Sequence, residues 1–501
     1  MNKNLQNLKI ILHEVDDLQK ASAVLYWDQS TYMPVGGAMG RGQQLSTFSK
    51  VAHEQFTDAA TGILLDSLQG YADSLPADSD DARLIRVTRR DYEKATEVPS
   101  KLLADFSAHG AATYQAWTVA RPANDFETMR PYLEKTLDFS RQMANCFPGY
   151  DHIADPLIDS RDEGMKTAVI RQIFADLRNE LVPLVKSITD QPAPDNSFLF
   201  KHYPEQKQLD FGWEVAKQYG FDAGRGRQDK THHPFMTSFG HGDIRITTRV
   251  DENRFDDCLF STLHETGHAM YEMGIRPELG RTPLADGTSS GVHESQSRLW
   301  ENIVGRSYGF WRHYYPQLQA VFTDQLKGVS LDDFYRAINK VSKSLIRTDA
   351  DEVTYNLHVM IRFDLSIQLL EGTLEVKDLP EAWNGRYQSD LGLHAPSDVD
   401  GVLQDVHWYG GMIGGQFQGY TLGNIMSSLF YEQALKAHPT IPVDISQGEF
   451  GTLHGWLQEN IYQHGRKFTA DELIKRTTGG DLTIAPYMAY LHEKFGKMYN
   501  L

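Results

Sequence analysis

His264-Glu265-Thr266-Gly267-His268 forms the pattern H-E-x-x-H inside a stretch that reads as one helix. Around it Leu259, Phe260, Leu263, Met270 and Tyr271 recur at helical spacing. Asp256 and Asp257 stand near the expected start, where carboxylates favour the helix dipole, and Gly274 followed by Pro277 ends it. Residues four apart on a helix stack one turn above each other, roughly 6 Å along the axis. His264 and His268 therefore point the same way, close enough to hold one ion. Glu265 is rotated off that line, towards a water on the ion rather than the ion itself. At this composition, with 19 His in 501 residues, chance supplies only roughly 0.04 such patterns per chain. Gly267 adds weight, because a mid-helix Gly costs about 1 kcal/mol relative to Ala. Its presence predicts a close backbone approach.

A hydrolytic zinc site needs a third protein ligand and one open position for water. The candidate stretch is Gly291-Val292-His293-Glu294-Ser295-Gln296-Ser297-Arg298. Glu294 offers a carboxylate and His293 an imidazole, and periodicity does not choose between neighbours. A plainer role for Glu294 is an ion pair with Arg298, four residues on.

Composition narrows the class. The chain exceeds the usual size of one compact domain, which predicts two lobes, an N-terminal helical one over 1–190 and a catalytic one over 191–501 within one continuous fold. A formal net charge of −18 argues against nucleic acid, whose phosphates require a basic surface. Cys146 and Cys258 have no metal-knuckle spacing and read as free thiols. No signal peptide and no bilayer-spanning run is found, so a cytoplasmic protein without membrane partners is expected.

Helical patterns dominate the first half. Leu5, Leu8, Leu12, Val15 and Leu18 form an apolar stripe continued by Val24, Leu25 and Trp27, and Met33-Pro34 with Gly36-Gly37 breaks it. Further helices are expected over 41–70, 80–97, 100–118 and 124–145. Residues 189–197 read as a linker. The β signal is Asp243 to Val250, alternating apolar and polar after a turn at Gly240-His241-Gly242. Such a hairpin beside a metal helix could offer a strand edge to an extended peptide. Downstream, a Gly-rich run precedes Tyr420 and could close over substrate.

Taken together, the motifs resemble those of the carboxypeptidase Taq family of zinc metallocarboxypeptidases. The matching stretches are His233-Pro234-Phe235, Asp243-x-Arg245-x-Thr247, His264-Glu265-x-x-His268, His293-Glu294-Ser295-Gln296, Ile346-Arg347-x-x-Ala350-Asp351 and Gly401-x-x-Gln404-Asp405-x-His407-Trp408. Trp27-Asp28-Gln29 and Met33-Pro34 extend the likeness over nearly the whole chain. Two departures are His241, where Pro is expected, and the Gly-rich Met412 to Gln418, where aromatics are commoner. The resemblance implies a mainly α, saddle-shaped fold with a central groove, a small antiparallel sheet near the metal, and a homodimer. It selects Glu294 over His293 as the third ligand.

The expected reaction is release of single residues from the free C-terminus of a peptide. One Zn2+ per chain is held by His264, His268 and Glu294, with Co2+ or Mn2+ as alternatives. Glu265 serves as general base and then general acid. Similarity to related helical zinc peptidases suggests Tyr420 and His407 as donors to the oxyanion. Arg347 is the expected partner of the substrate carboxylate, because a guanidinium fork takes both oxygens at once; Arg245 is the runner-up. The plainer reading of Arg347 is an ion pair with Asp351. Rival functions are a zinc endopeptidase or dipeptidase, and a silent peptide-binding protein, against which the intact Glu265 speaks.

Overall fold

The computed structural model describes residues 2–501. It is 68% helical, so its small sheet is an insert in a helical body. The N-terminal stripe forms one helix, Lys3–Thr31, burying Leu5, Leu8, Leu12, Val15 and Trp27; Val24 falls on its exposed side. The helix expected over 41–70 is two, Ala38–Phe56 and Ala59–Asp73. Asp58 divides them, its side chain accepting from the Ala60 N–H as an N-cap. The next three expectations correspond to Asp80–Glu97, Ser100–Ala120 and Phe126–Asn145. After the helix Thr167–Thr189, residues 192–196 have no regular structure.

Three short strands follow: β1 (Gln228–Lys230), β2 (Met236–Ser238) and β3 (Ile244–Thr248). β2 and β3 form the expected antiparallel hairpin, with Met236 opposite Ile246. Its turn is closed by a hydrogen bond from the Asp243 N–H to the Gly240 carbonyl, and Gly240 adopts φ +134°. β1 lies on the other side of β3 and runs parallel to it, so the sheet is mixed rather than wholly antiparallel. Three residues carry too little periodicity to announce such a strand. The hairpin joins two motifs, since the Phe235 N–H donates to the Thr247 hydroxyl, which in turn donates to the Phe235 carbonyl.

The motif helix spans Phe255–Gly274 with Asp256 and Asp257 in its first turn. Leu259, Phe260, Leu263, Met270 and Tyr271 are all buried. β3 lies against it through Thr248, whose hydroxyl reaches the Cys258 carbonyl and the Thr262 hydroxyl. Ser289 caps the helix Ser290–Arg298, which runs directly into a π-helical turn, Leu299–Val304. A second buried helix, Gln418–Ala437, packs along Ser290–Arg298. Glycines bring these helices close. A Cβ on Gly267 would lie 2.5 Å from the Gln296 carbonyl oxygen, and one on Gly423 would lie 2.6 Å from both Cβ and Cγ of Glu294. The helix carrying Glu294 is thus held between two glycine faces.

One apolar core runs through the helices from Val98 onward. A second joins Leu5, Leu8, Leu12, Leu65, Leu68 and Leu84 to Ile275, Leu279 and Leu284. Those last three lie in the segment between the motif helix and Ser290–Arg298.

Candidate active site

Helical spacing brings the His264 and His268 rings to 4.9 Å between centroids. Their Nε2 atoms converge on one oxygen of Glu294, at 3.8 and 3.6 Å from Oε2. One ligand atom from each of the three residues lies within 4.8 Å of the others. A tetrahedral ion with bonds of about 2.0–2.2 Å spaces its ligand atoms roughly 3.4 Å apart, so two imidazoles and a carboxylate at slightly wider separation suit a small divalent ion. The ion pair from Glu294 to Arg298 is also present, with Arg298 Nε donating to Oε1 at 2.7 Å. It occupies the oxygen that faces away from the histidines and so orients the carboxylate.

The outer ring nitrogens are also partnered. His264 Nδ1 lies 2.9 Å from Glu301 Oε2. His268 Nδ1 lies 2.6 Å from His293 Nδ1, and His293 Nε2 lies 3.0 Å from Glu272 Oε1. His293 therefore stands behind His268, on the side away from Glu294. Such partners fix the tautomer that leaves Nε2 free for an ion. Burial lowers the His264 pKa, but the Glu294 charge and the Glu301 hydrogen bond outweigh it, and the net shift is upward. Burial, then His293 and His264, hold His268 well below its usual value. Burial would raise Glu301, yet Arg298 and His264 bring it down to about 2. Glu265 is buried without a hydrogen bond or ion pair among the described residues, and burial pushes its carboxyl up to about 7, with His264 opposing. A buried, unpaired carboxyl next to the convergence point suits a proton carrier.

A second group of side chains collects around Asp405. Arg347 is 7% exposed; its Nε donates to Asp405 Oδ2 at 2.8 Å and its Nη1 to the Tyr355 hydroxyl at 3.0 Å. His407 contacts Asp405 Oδ1 through both its backbone N–H and its Nδ1. The Arg347 guanidinium lies 5.6 Å from the Tyr420 ring centroid. Tyr420 opens the helix Gln418–Ala437; its hydroxyl has no partner among the described residues, and burial pushes its pKa up to about 12. The structure thus gathers Arg347, His407 and Tyr420. Arg298 connects them to the His264–His268–Glu294 cluster, pairing with Glu294 while lying 4.7 Å over the Tyr355 ring.

The partner of Arg347 is Asp405 and not Asp351, whose carboxylate accepts from the Ser342, Val353 and Thr354 backbone N–H groups. Arg245 stands apart, on β3. Its fork is taken by both oxygens of Asp243, at 2.8 and 2.7 Å, and its guanidinium lies 4.4 Å over Trp27. The sequence reading missed Tyr355 and Glu301, and named Arg298 only as the ion-pair partner of Glu294, which the structure bears out. The i, i+4 spacing gave that pair away, whereas Tyr355 and Glu301 act through contacts that no local spacing announces. At the two departures, the His241 carbonyl accepts from Arg225, and Gly414 and Gly415 adopt φ +87° and +78°, where Gly415 lies against the Leu157 carbonyl.

The sequence profile of the family described as carboxypeptidase Taq (M32) metallopeptidase matches residues 7–495. Thermostable carboxypeptidase 1 of Thermus thermophilus is 38% identical over 99% of this chain and 98% of its own length. Carboxypeptidase 1 of Bacillus subtilis is 35% identical, covering 98% of each chain. The crystal structure of the M32 carboxypeptidase from Deinococcus radiodurans R1 is 50% identical, covers 100% of both chains and superposes with a TM-score of 0.97.

Proposed function

The chain belongs to the carboxypeptidase Taq (M32) metallopeptidase family and is a metal-dependent carboxypeptidase acting on peptides; from that premise we propose that it works with one zinc ion held by His264, His268 and Glu294. The observation that carries the ligand set is the convergence of both Nε2 atoms on Glu294 Oε2 while both Nδ1 atoms are otherwise partnered. Zinc there supplies Lewis-acid polarisation of a carbonyl and acidification of a water; Co2+ or Mn2+ would do the same. Glu265 takes the proton from the attacking water and returns it to the leaving amine. Its lack of any partner among the described residues leaves both oxygens free for that transfer. The Tyr420 hydroxyl donates to the developing oxyanion, and His407, oriented by Asp405, stands beside it. Arg347 receives the C-terminal carboxylate, and its Nη2, which has no partner among the described residues, is the first nitrogen available to it. A homodimer working in the cytoplasm is the remaining part of the reading; two unpaired thiols agree with a reducing compartment.

The test is product analysis by mass spectrometry on an N-terminally blocked peptide with a free or an amidated C-terminus. Single-residue release from the free acid alone is expected, and it should vanish on chelation and return with zinc. Rapid internal cleavage of the amidated peptide would end this account of Arg347.

A further inference from the structure

The helix Tyr355–Glu371 is buried almost throughout, and in its middle lies Arg362, 1% exposed. None of its three guanidinium nitrogens, Nε, Nη1 and Nη2, has a hydrogen-bond partner among the described residues. The group lies 3.9 Å from the Trp408 ring, 4.8 Å from Phe417 and 5.0 Å from Trp383. Aromatic faces stabilise a cation but satisfy none of its N–H groups, and a buried charge without hydrogen bonds is costly. Such an exception calls for a reason.

The nearest counter-charge is Asp405. Arg362 Nη2 is 3.7 Å from Oδ2, the same oxygen that accepts from Arg347 Nε at 2.8 Å. The other oxygen, Oδ1, is held by His407. The carboxylate is therefore pinned at one oxygen, and the second has two arginines within reach. Among the charges around Asp405, Arg362 contributes most to holding its pKa far below the usual range against burial, although it makes no hydrogen bond. Arg347 and Arg362 against Asp405 leave this buried group one cation in excess. A peptide carboxylate supplies the missing negative charge.

We propose that Arg362 is a positioning residue that draws Asp405 Oδ2 off Arg347 when a peptide carboxylate arrives, so that Arg347 offers its whole fork to the substrate. The inference rests on the reading of Arg347 as the carboxylate partner. With Asp405 on Nε, the Nε/Nη2 fork is half occupied, and a second carboxylate would meet both a missing donor and a like charge. Pivoting about the His407-held Oδ1, Oδ2 needs to travel only about 1 Å to reach hydrogen-bond distance from Arg362. The Arg362 donors, without partners in the free enzyme, gain what Arg347 gives up. The carboxylate then binds without leaving Asp405 unpaired.

Two measurements test this. The first is a crystal structure with N-acetyl-L-alanine, a product-like free carboxylate. Support is the carboxylate on Arg347 with Asp405 Oδ2 within about 3.2 Å of Arg362 Nη2. The carboxylate on Arg347 with Asp405 still on Nε overturns the handover alone; the carboxylate elsewhere overturns the reading of Arg347 itself. The second is kinetic. Arg362→Met should raise KM for the free-acid peptide roughly 10–100-fold while kcat changes less than about 3-fold, and Asp405→Asn added to it should bring KM most of the way back, whatever it does to kcat through His407. Arg362→Lys, which keeps the charge and folds more readily, should fall between. For Arg362→Met, loss confined to kcat, or for the double variant a KM that rises additively, overturns the proposal.

Discussion

Glu265 and Glu294 are both buried carboxylates beside the same two histidines, yet their surroundings assign them different work. Glu294 has Arg298 on one oxygen and the imidazoles facing the other, so it is built to stay in place. Glu265 has no partner among the described residues and is free to exchange a proton. Glu265→Gln is therefore expected to cut kcat by roughly 10^2–10^4 while metal content stays near one ion per chain. Glu294→Ala should lose the ion itself. Metal analysis after gel filtration separates the two cases, and equal metal loss in both variants would mean that Glu265 is a ligand. Tyr420→Phe should lower kcat by roughly 10–1,000-fold with KM little changed, as for a contact made mainly in the transition state. Steady-state rates on the free-acid peptide check it; an unchanged kcat would leave Tyr420 as packing against Phe417 and Tyr355.

The helices matter through the distance at which they pack. Gly267 faces backbone of the Glu294 helix, which cannot step aside, and Gly423 faces the root of the Glu294 side chain. A Cβ on Gly419 would meet the Ser290 hydroxyl and Cβ at 2.3 and 3.1 Å, with backbone no nearer than 3.5 Å. Gly267→Ala and Gly423→Ala should each cost about 1–3 kcal/mol and weaken metal binding, whereas Gly419→Ala should be milder because a hydroxyl can rotate. Thermal melts with and without zinc decide this, and equal effects at all three sites would refute the close-approach argument. Gly267 also shows what the sequence disclosed: a helix-disfavoured residue inside a strongly patterned helix announced a close approach, though not against what. The bounds of the motif helix were legible because Asp256, Asp257 and Gly274 act locally. The choice between His293 and Glu294 was not, since neighbours on a helix differ by about 100° and only the packing partner selects the face. Asp405 as the partner of Arg347 was equally hidden, because the two meet across 58 residues of chain. β1 and the break at Asp58 were lost for a simpler reason: each depends on two or three residues.

For the molecule as a whole, buried histidines set the response to acid. His358 is 0% exposed, with Nδ1 2.9 Å from the Tyr387 hydroxyl. Burial, then Arg347 and Arg362, depress its pKa to about 3. The unfolded chain binds a proton near the ordinary value of about 6.5, so the folded form keeps its full advantage above that pH and loses it progressively down to about 3. At about 1.4 kcal/mol per unit, the loss from His358 is on the order of 4 kcal/mol by the bottom of that window. His464, brought to about 4 chiefly by burial and then Arg476, acts in the same direction but less, being partly solvated. Melting temperature should fall steadily below pH 6.5, and His358→Gln should flatten that slope; a parallel slope in the variant would place the acid sensitivity elsewhere. The second core has a consequence in time. Its N-terminal part is complete by Val87, but Ile275, Leu279 and Leu284, which close it, lie roughly 190 residues further on. At about 5–20 residues per second, the ribosome takes roughly 10–40 s to deliver them, and for that interval the first helices carry an open apolar face. A nascent chain arrested near residue 250 should bind a hydrophobic dye that the finished protein excludes, which makes the connection between the helices of His264 and Glu294 the latch of the N-terminal half as well.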